Sequence, residues 1–219
     1  MASMVYLELR CAHLAGSVMS FEVSRGMHAL LPDIDSFISA AIIDAILGLK
    51  QCTHGEIQLY GESLADSSSS RLRQLRGKVG VVSDARGLIS NLKVWENVYL
   101  PIEYHSQGGA DLHGMVAEAF TCAGYSGDPY ASPDTLNRLE RKQVLMARAF
   151  ACRPSLVIVD NLLEGYSTLE KRMLSSGLTR YFSENTEASG LFLTSDAEEL
   201  LGLDNVQVVT LNQEREHVF

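Results

Sequence analysis

Four short apolar runs each end abruptly in polar or acidic residues. MHALLP (27–32) runs into Asp33, KVGVV (78–82) into Ser83-Asp84, SLVIV (155–159) into Asp160-Asn161, and GLFLT (190–194) into Ser195-Asp196. Uninterrupted runs of this length suit strands covered on both faces, the condition of a parallel sheet. The N-terminal segments VYLELR, SVMSFEV and GEIQLYG alternate more loosely and read as antiparallel strands with one wet face. Between the runs, helices are predicted over 36–49, 71–76, 94–104, 112–123, 137–151 and 169–183. Strand–helix alternation predicts an α/β fold with right-handed crossovers. The expected organisation is one domain over 1–219, with a mostly helical subdomain inserted at about 90–140. The serine run 67–70 reads as a surface loop.

The apolar share of 46% is enough for a buried core and excludes wholesale disorder. The 18 Lys and Arg against 27 Asp and Glu give a net charge of −9. That balance opposes nucleic-acid binding, which needs a surplus of cations. No run reaches the roughly 18 apolar residues of a membrane span. MASMVYLELR lacks the basic start and apolar centre of a signal peptide. Cys11, Cys52, Cys122 and Cys152 form no CxxC pair, and are expected to be small buried thiols rather than metal ligands or disulfides.

Ligands of open parallel sheets sit beyond the carboxyl ends of the strands. Those ends carry Asp33, Asp35, Asp84, Asp160 and Asp196 here, with Arg86 the only neighbouring cation in sequence, and the first lysine of the chain is Lys50. This is a poor cradle for a polyphosphate.

The order of segments resembles an ABC-transporter ATPase subunit over nearly the whole chain. FEVSRGMHALLP is similar to the family's strand entering the phosphate loop, and ILGLKQCTHGEIQLYGESL to the helix end and strand after it. VGVVSDARGLISNLKVWENVYLPIEYH is similar to the segment around the glutamine loop, and LNRLERKQVLMARAFACRPSLVIVDNLLEGYS to the signature helix and Mg-binding strand. LFLTSDAEEL is similar to the strand ending at the switch histidine. ENVYLPIEYH has the flavour of subunits serving lipid-handling systems. The resemblance implies a P-loop-NTPase-like ABC ATPase fold: a mainly parallel sheet, an antiparallel N-terminal part and a helical subdomain.

Set against the family pattern, the chemical positions are altered. GxxxxGK[ST] falls on DIDSFISA: Asp33 and Ile38 replace the glycines, Ser39 the lysine and Ala40 the Mg-binding hydroxyl. Glycines let backbone N–H groups nest around phosphate, and the lysine supplies countercharge. Two like charges about 4 Å apart repel by about 4 kcal/mol at an effective dielectric of 20, so Asp33 and Asp35 oppose phosphate. The residues read more simply as a helix capped by Asp35 or Ser36, with Phe37, Ile38, Ile42, Ile43 and Ile46 in the core. One of the two aspartates is expected to accept hydrogen bonds from the amides of 36–39.

The glutamine position falls on Asp84. The signature LSGGQ falls on LNRLE, where Asn137 and Glu140 form a capping box and Arg138 and Leu139 fill the glycine positions. Asp160 matches the Mg-binding aspartate. Asn161 stands where the family has its catalytic glutamate, and a neutral amide cannot accept a proton. The switch histidine falls on Ser195. The loop AHLAGS offers no aromatic for adenine, and Tyr6 reads as a packing residue.

The leading expectation is therefore a pseudo-ATPase: a structural or regulatory subunit of a transport assembly, with no cofactor, no metal and no catalytic residue. It would sit in the cytoplasm, peripheral at the inner face of a membrane. Its partners would be a membrane permease subunit and either an intact ATPase or a second copy of itself. Leu88, Ile89, Leu92, Trp95 and Tyr99 match the part that receives the permease, although each also suits the subdomain core. The alternative is a working subunit that binds ATP and Mg and drives lipid or small-molecule transport. A remote alternative is an Mg-dependent phosphohydrolase using Asp33 and Asp35, with Ser83 or Thr194 assisting.

Overall fold

The computed structural model describes residues 4–105, 111–194, 196, 200 and 202–209. Two sheets and six α-helices are seen among them. The four short apolar runs become β3 (His28–Leu31), β6 (Val79–Val82), β7 (Leu156–Asp160) and β8 (Ser189–Leu193). They lie in one parallel sheet of order β6-β7-β8-β3-β9, with β9 (Val206–Val208) at the edge beside β3. The alternating segments become β1 (Val5–Leu14), β2 (Ser17–Ser24) and β4 (Glu56–Leu59). With the two-residue β5 (Glu62–Ser63) they form an antiparallel sheet of order β2-β1-β4-β5.

β1 and β2 meet in a two-residue turn, Ala15-Gly16, with both residues at positive φ (51° and 78°), the twist a tight hairpin requires. The register of β1 on β2 shifts between Leu9 and Ala12. There Cys11 adopts φ 46° and lies exposed. Of the four thiols, only Cys122 is fully buried, so the expectation of small buried thiols fails for Cys11. Burial pushes Cys122 and Cys152 up to about 11, which keeps them protonated and inert.

The helices are α1 (Ser36–Ile46), α2 (Ser69–Arg76), α3 (Val94–His105), α4 (Leu112–Ala123), α5 (Arg138–Phe150) and α6 (Thr168–Glu184). The serine run is not all loop. Ser68 caps α2 by accepting from the Arg71 amide, and Ser69 and Ser70 start the helix.

Successive residues of a strand point to opposite faces, and β7 divides its side chains accordingly. Leu156 and Ile158 join a core with Leu7 and Leu9 of β1 and Ile42, Ile43 and Ile46 of α1. Val157 and Val159 join a second core with α3, α4, α5 and α6. Helix α1 is thus packed between the two sheets, which explains why SFISAAIIDAI is apolar almost all round. Phe37 departs from expectation: it is 70% exposed, and Ile38 only half-buried. Phe37 points away from the core at the first turn of α1, whereas Ile38 still packs against it. Tyr6 is buried against Tyr60, 5.1 Å between ring centres, as a packing residue.

Candidate functional site

The carboxyl ends of β3, β6, β7 and β8 open on one side of the parallel sheet, and the loops leaving them form the candidate site. Asp33, just after β3, has φ 57°, a left-handed conformation that Asp tolerates better than most residues. Asp35 caps α1: its Oδ1 accepts the Ile38 amide at 2.8 Å, while its carbonyl accepts the Ser39 amide at 2.9 Å. The donors left over by the first turn of a helix are thereby met in part by the chain's own carboxylate. Ser39 is buried and its hydroxyl donates to the Ser36 carbonyl at 3.2 Å. Ala40 carries no polar side-chain atom.

At the end of β6, Ser83 Oγ donates to Asp160 Oδ2 at 2.7 Å, tying β6 to β7. Asp84 opens a single 3-10 turn, Asp84–Arg86, with its carboxylate 68% exposed. Its Oδ2 lies 2.7 Å from Nζ of Lys142, a lysine of α5 only 1% exposed. Arg86 is held by Asp44 of α1 at 2.5 Å. Arg148 of α5 donates to the carbonyls of Arg86 and Gly87, each at 2.7 Å. Burial, with the nearby Arg86 charge, lowers the Arg148 pKa from its usual value.

After β7, Asn161 adopts φ 44° and its amide donates to the Leu193 carbonyl at 3.1 Å. The start of α5 carries the expected capping box: Asn137 Oδ1 accepts from the Glu140 amide, and Glu140 Oε2 from the Asn137 amide, both at 2.9 Å. Arg138 turns back into its own chain. It donates to the carbonyls of Glu164 (2.7 Å) and Gly165 (2.5 Å), and its guanidinium lies 4.1 Å from the ring centre of Tyr166. The Tyr166 hydroxyl donates in return to the Arg138 carbonyl at 3.1 Å. Ser195 lies outside the described residues. Beside it, Thr194 Oγ1 accepts the Asp196 amide at 3.0 Å, and Asp196 pairs with Lys171 of α6 at 2.6 Å.

The structure therefore corrects the view that Arg86 alone brings cationic charge to these strand ends. Lys142, Arg148 and Lys171 arrive there from α5 and α6, far away in sequence. The signal for Lys142 was its helical spacing, because it stands four and seven residues before the buried Met146 and Ala149. The residues matched to a permease surface divide. Trp95, Tyr99 and Leu88 pack against the helical core, whereas Ile89 is 40% exposed.

A family model described as ABC transporter matches residues 40–164, more than half of the chain. The methionine import ATP-binding protein MetN 2 of Yersinia pestis bv. Antiqua (strain Antiqua) is 31% identical over 160 residues, 73% of this chain and 44% of that protein. MetN of Rhizobium etli is 27% identical over 173 residues, 78% of this chain and 47% of that protein. The chain thus spans under half the length of these two relatives. The intermembrane phospholipid transport system ATP-binding protein MlaF of Escherichia coli (strain K12) is 25% identical over 189 residues, 84% of this chain and 69% of MlaF. Among solved structures, the dimeric post-hydrolysis state of the ATP-binding cassette MJ0796, bound to ADP and Pi, superposes with a TM-score of 0.81 over 94% of both chains at 17% identity. That likeness bears on the fold alone, and agrees with the parallel sheet, antiparallel sheet and helices described above. By the span of the family match and the likeness to MetN 2, this chain belongs to the ABC transporter family and has the fold of its ATP-binding cassettes.

Proposed function

We propose that this chain is a non-hydrolysing ABC-type subunit, a structural or regulatory component of a membrane transport assembly. The observation that carries the reading is the Asp35 carboxylate on the Ile38 amide, where a phosphate-binding loop would keep its amides open. The other donors fit Mg-polyphosphate no better. Ser39 supplies no positive charge, Ala40 no hydroxyl for a metal, and one oxygen of Asp160 already accepts from Ser83. The family match begins at Ala40, the last residue of the phosphate-loop position. Asn161 stands where the family has a carboxylate, and its amide cannot take a proton from an attacking water.

Its partners, on this reading, are a membrane permease subunit and either an intact ATPase or a second copy. No helix among the described residues is long and apolar enough to cross a membrane, so contact with the bilayer would come through the permease. The names of MetN and MlaF favour a second reading, a working ATP-binding subunit serving import or lipid transport. Phosphate release from MgATP by the purified chain separates the two. The first reading expects turnover no faster than buffer, and sustained turnover proportional to protein concentration supports the second. The phosphohydrolase reading of Asp33 and Asp35 gains no support, since Asp35 caps α1 and both Ser83 and Thr194 are hydrogen-bonded to neighbours.

A further inference from the structure

We propose that the Asp84–Lys142 ion pair is a latch, holding the loop between β6 and α3 against α5 and so fixing the helical part of the chain to the parallel sheet without any ligand. Lys142 Nζ is buried and makes no well-aligned hydrogen bond among the described residues. Its charge is balanced by one carboxylate, Asp84 Oδ2 at 2.7 Å. The same loop is gripped a second time by Arg148, through the carbonyls of Arg86 and Gly87. Lys142 Nζ also lies 6.0 Å from the centre of the Tyr166 ring, and the Arg138 guanidinium, which bonds the loop after β7, lies over the same ring. Two loops at the strand ends, those after β6 and β7, are thus tied to α5 by the chain's own side chains.

The two partners are not equivalent. Asp84 is mostly exposed and stays hydrated without Lys142, whereas Lys142 without Asp84 is a buried, uncompensated cation. Lys142 is therefore the positioning residue to remove, because Lys142→Met keeps the apolar stem and deletes the charge.

The test is hydrogen–deuterium exchange of the full chain, read by mass spectrometry with no nucleotide present, so that its outcome is independent of the functional reading above. In Lys142→Met the amides of Arg86 and Gly87 should exchange about tenfold faster, within the coupling range of contacting groups. Those of β7 and β8 should not change, and the melting temperature should stay within about 3 °C. Asp84→Asn should show the same loop acceleration together with a clear fall in melting temperature. Unchanged loop exchange in Lys142→Met overturns the latch. So does acceleration spread evenly over β7 and β8, or failure of Lys142→Met to fold, since either would make the lysine part of the core rather than a tie.

Discussion

Asp35 reaches back over the first turn of α1 and takes the Ile38 amide at 2.8 Å. On the proposed reading this one contact joins fold and function: the carboxylate that stabilises the helix also takes an amide that a phosphate-binding loop would keep open. Carboxylates near a helix N-terminus are favoured by its partial positive charge, so the contact suits both the hydrogen bond and the field.

Asp35→Ala should lower unfolding free energy by about 0.5–2 kcal/mol, the usual worth of such a cap, and Asp35→Asn by less, because an amide oxygen still accepts. Urea denaturation at neutral pH measures both. Equal losses in the two variants would mean that charge, not the hydrogen bond, carries the effect.

His28 should make the chain acid-sensitive. It sits in the buried β3 with its ring edge-on to Phe182, 4.5 Å between centres, and its Nδ1 has no hydrogen-bond partner among the described residues. Burial pushes its pKa down to about 4. The unfolded chain protonates near the ordinary value of about 6.5. Between those values the unfolded state holds more protons, so stability is full above the upper one, falls as pH drops, and levels off below the lower one. The expected loss on going from pH 7 to pH 5 is about 2 kcal/mol from this residue. His28→Leu should flatten the dependence of the urea midpoint on pH across that window, and an undiminished slope would place the acid sensitivity elsewhere.

Asn161→Glu should not restore hydrolysis. The substitution returns a carboxylate to the end of β7, but Ser39, Ala40 and the Asp35 cap remain at the start of α1. Measured phosphate release should equal that of the parent chain. Turnover in this single variant would locate the defect in the missing base alone.

The sheet was readable in the sequence because β3, β7 and β8 are buried on both faces, which forces uninterrupted apolar runs. β5 and β9 were not, being two and three residues long with no pattern to detect. The caps at Asp35, Asn137 and Ser167 follow local rules; the first two were foreseen, and the third forms a capping box with Glu170 in the same way. Phe37 misled because an apolar residue in a helix gives no sign that it points away from the core. The Asp84–Lys142 and Arg138–Tyr166 contacts join residues 58 and 28 positions apart, and no short-range spacing encodes such pairings. The proposed loss of phosphate-binding residue types rests on the sequence itself, because those roles are defined by chemistry at fixed positions along the chain.

The most direct test of the central claim is equilibrium binding of MgATP by the purified chain, followed through its melting temperature. A specific ligand at 100 times its dissociation constant stabilises the folded state by about 2.7 kcal/mol, well within detection. The account predicts no shift at millimolar MgATP beyond that produced by the same concentration of inorganic phosphate. A saturable rise with ATP that phosphate does not reproduce would contradict it, and would make the chain a nucleotide-binding subunit despite the Asp35 cap.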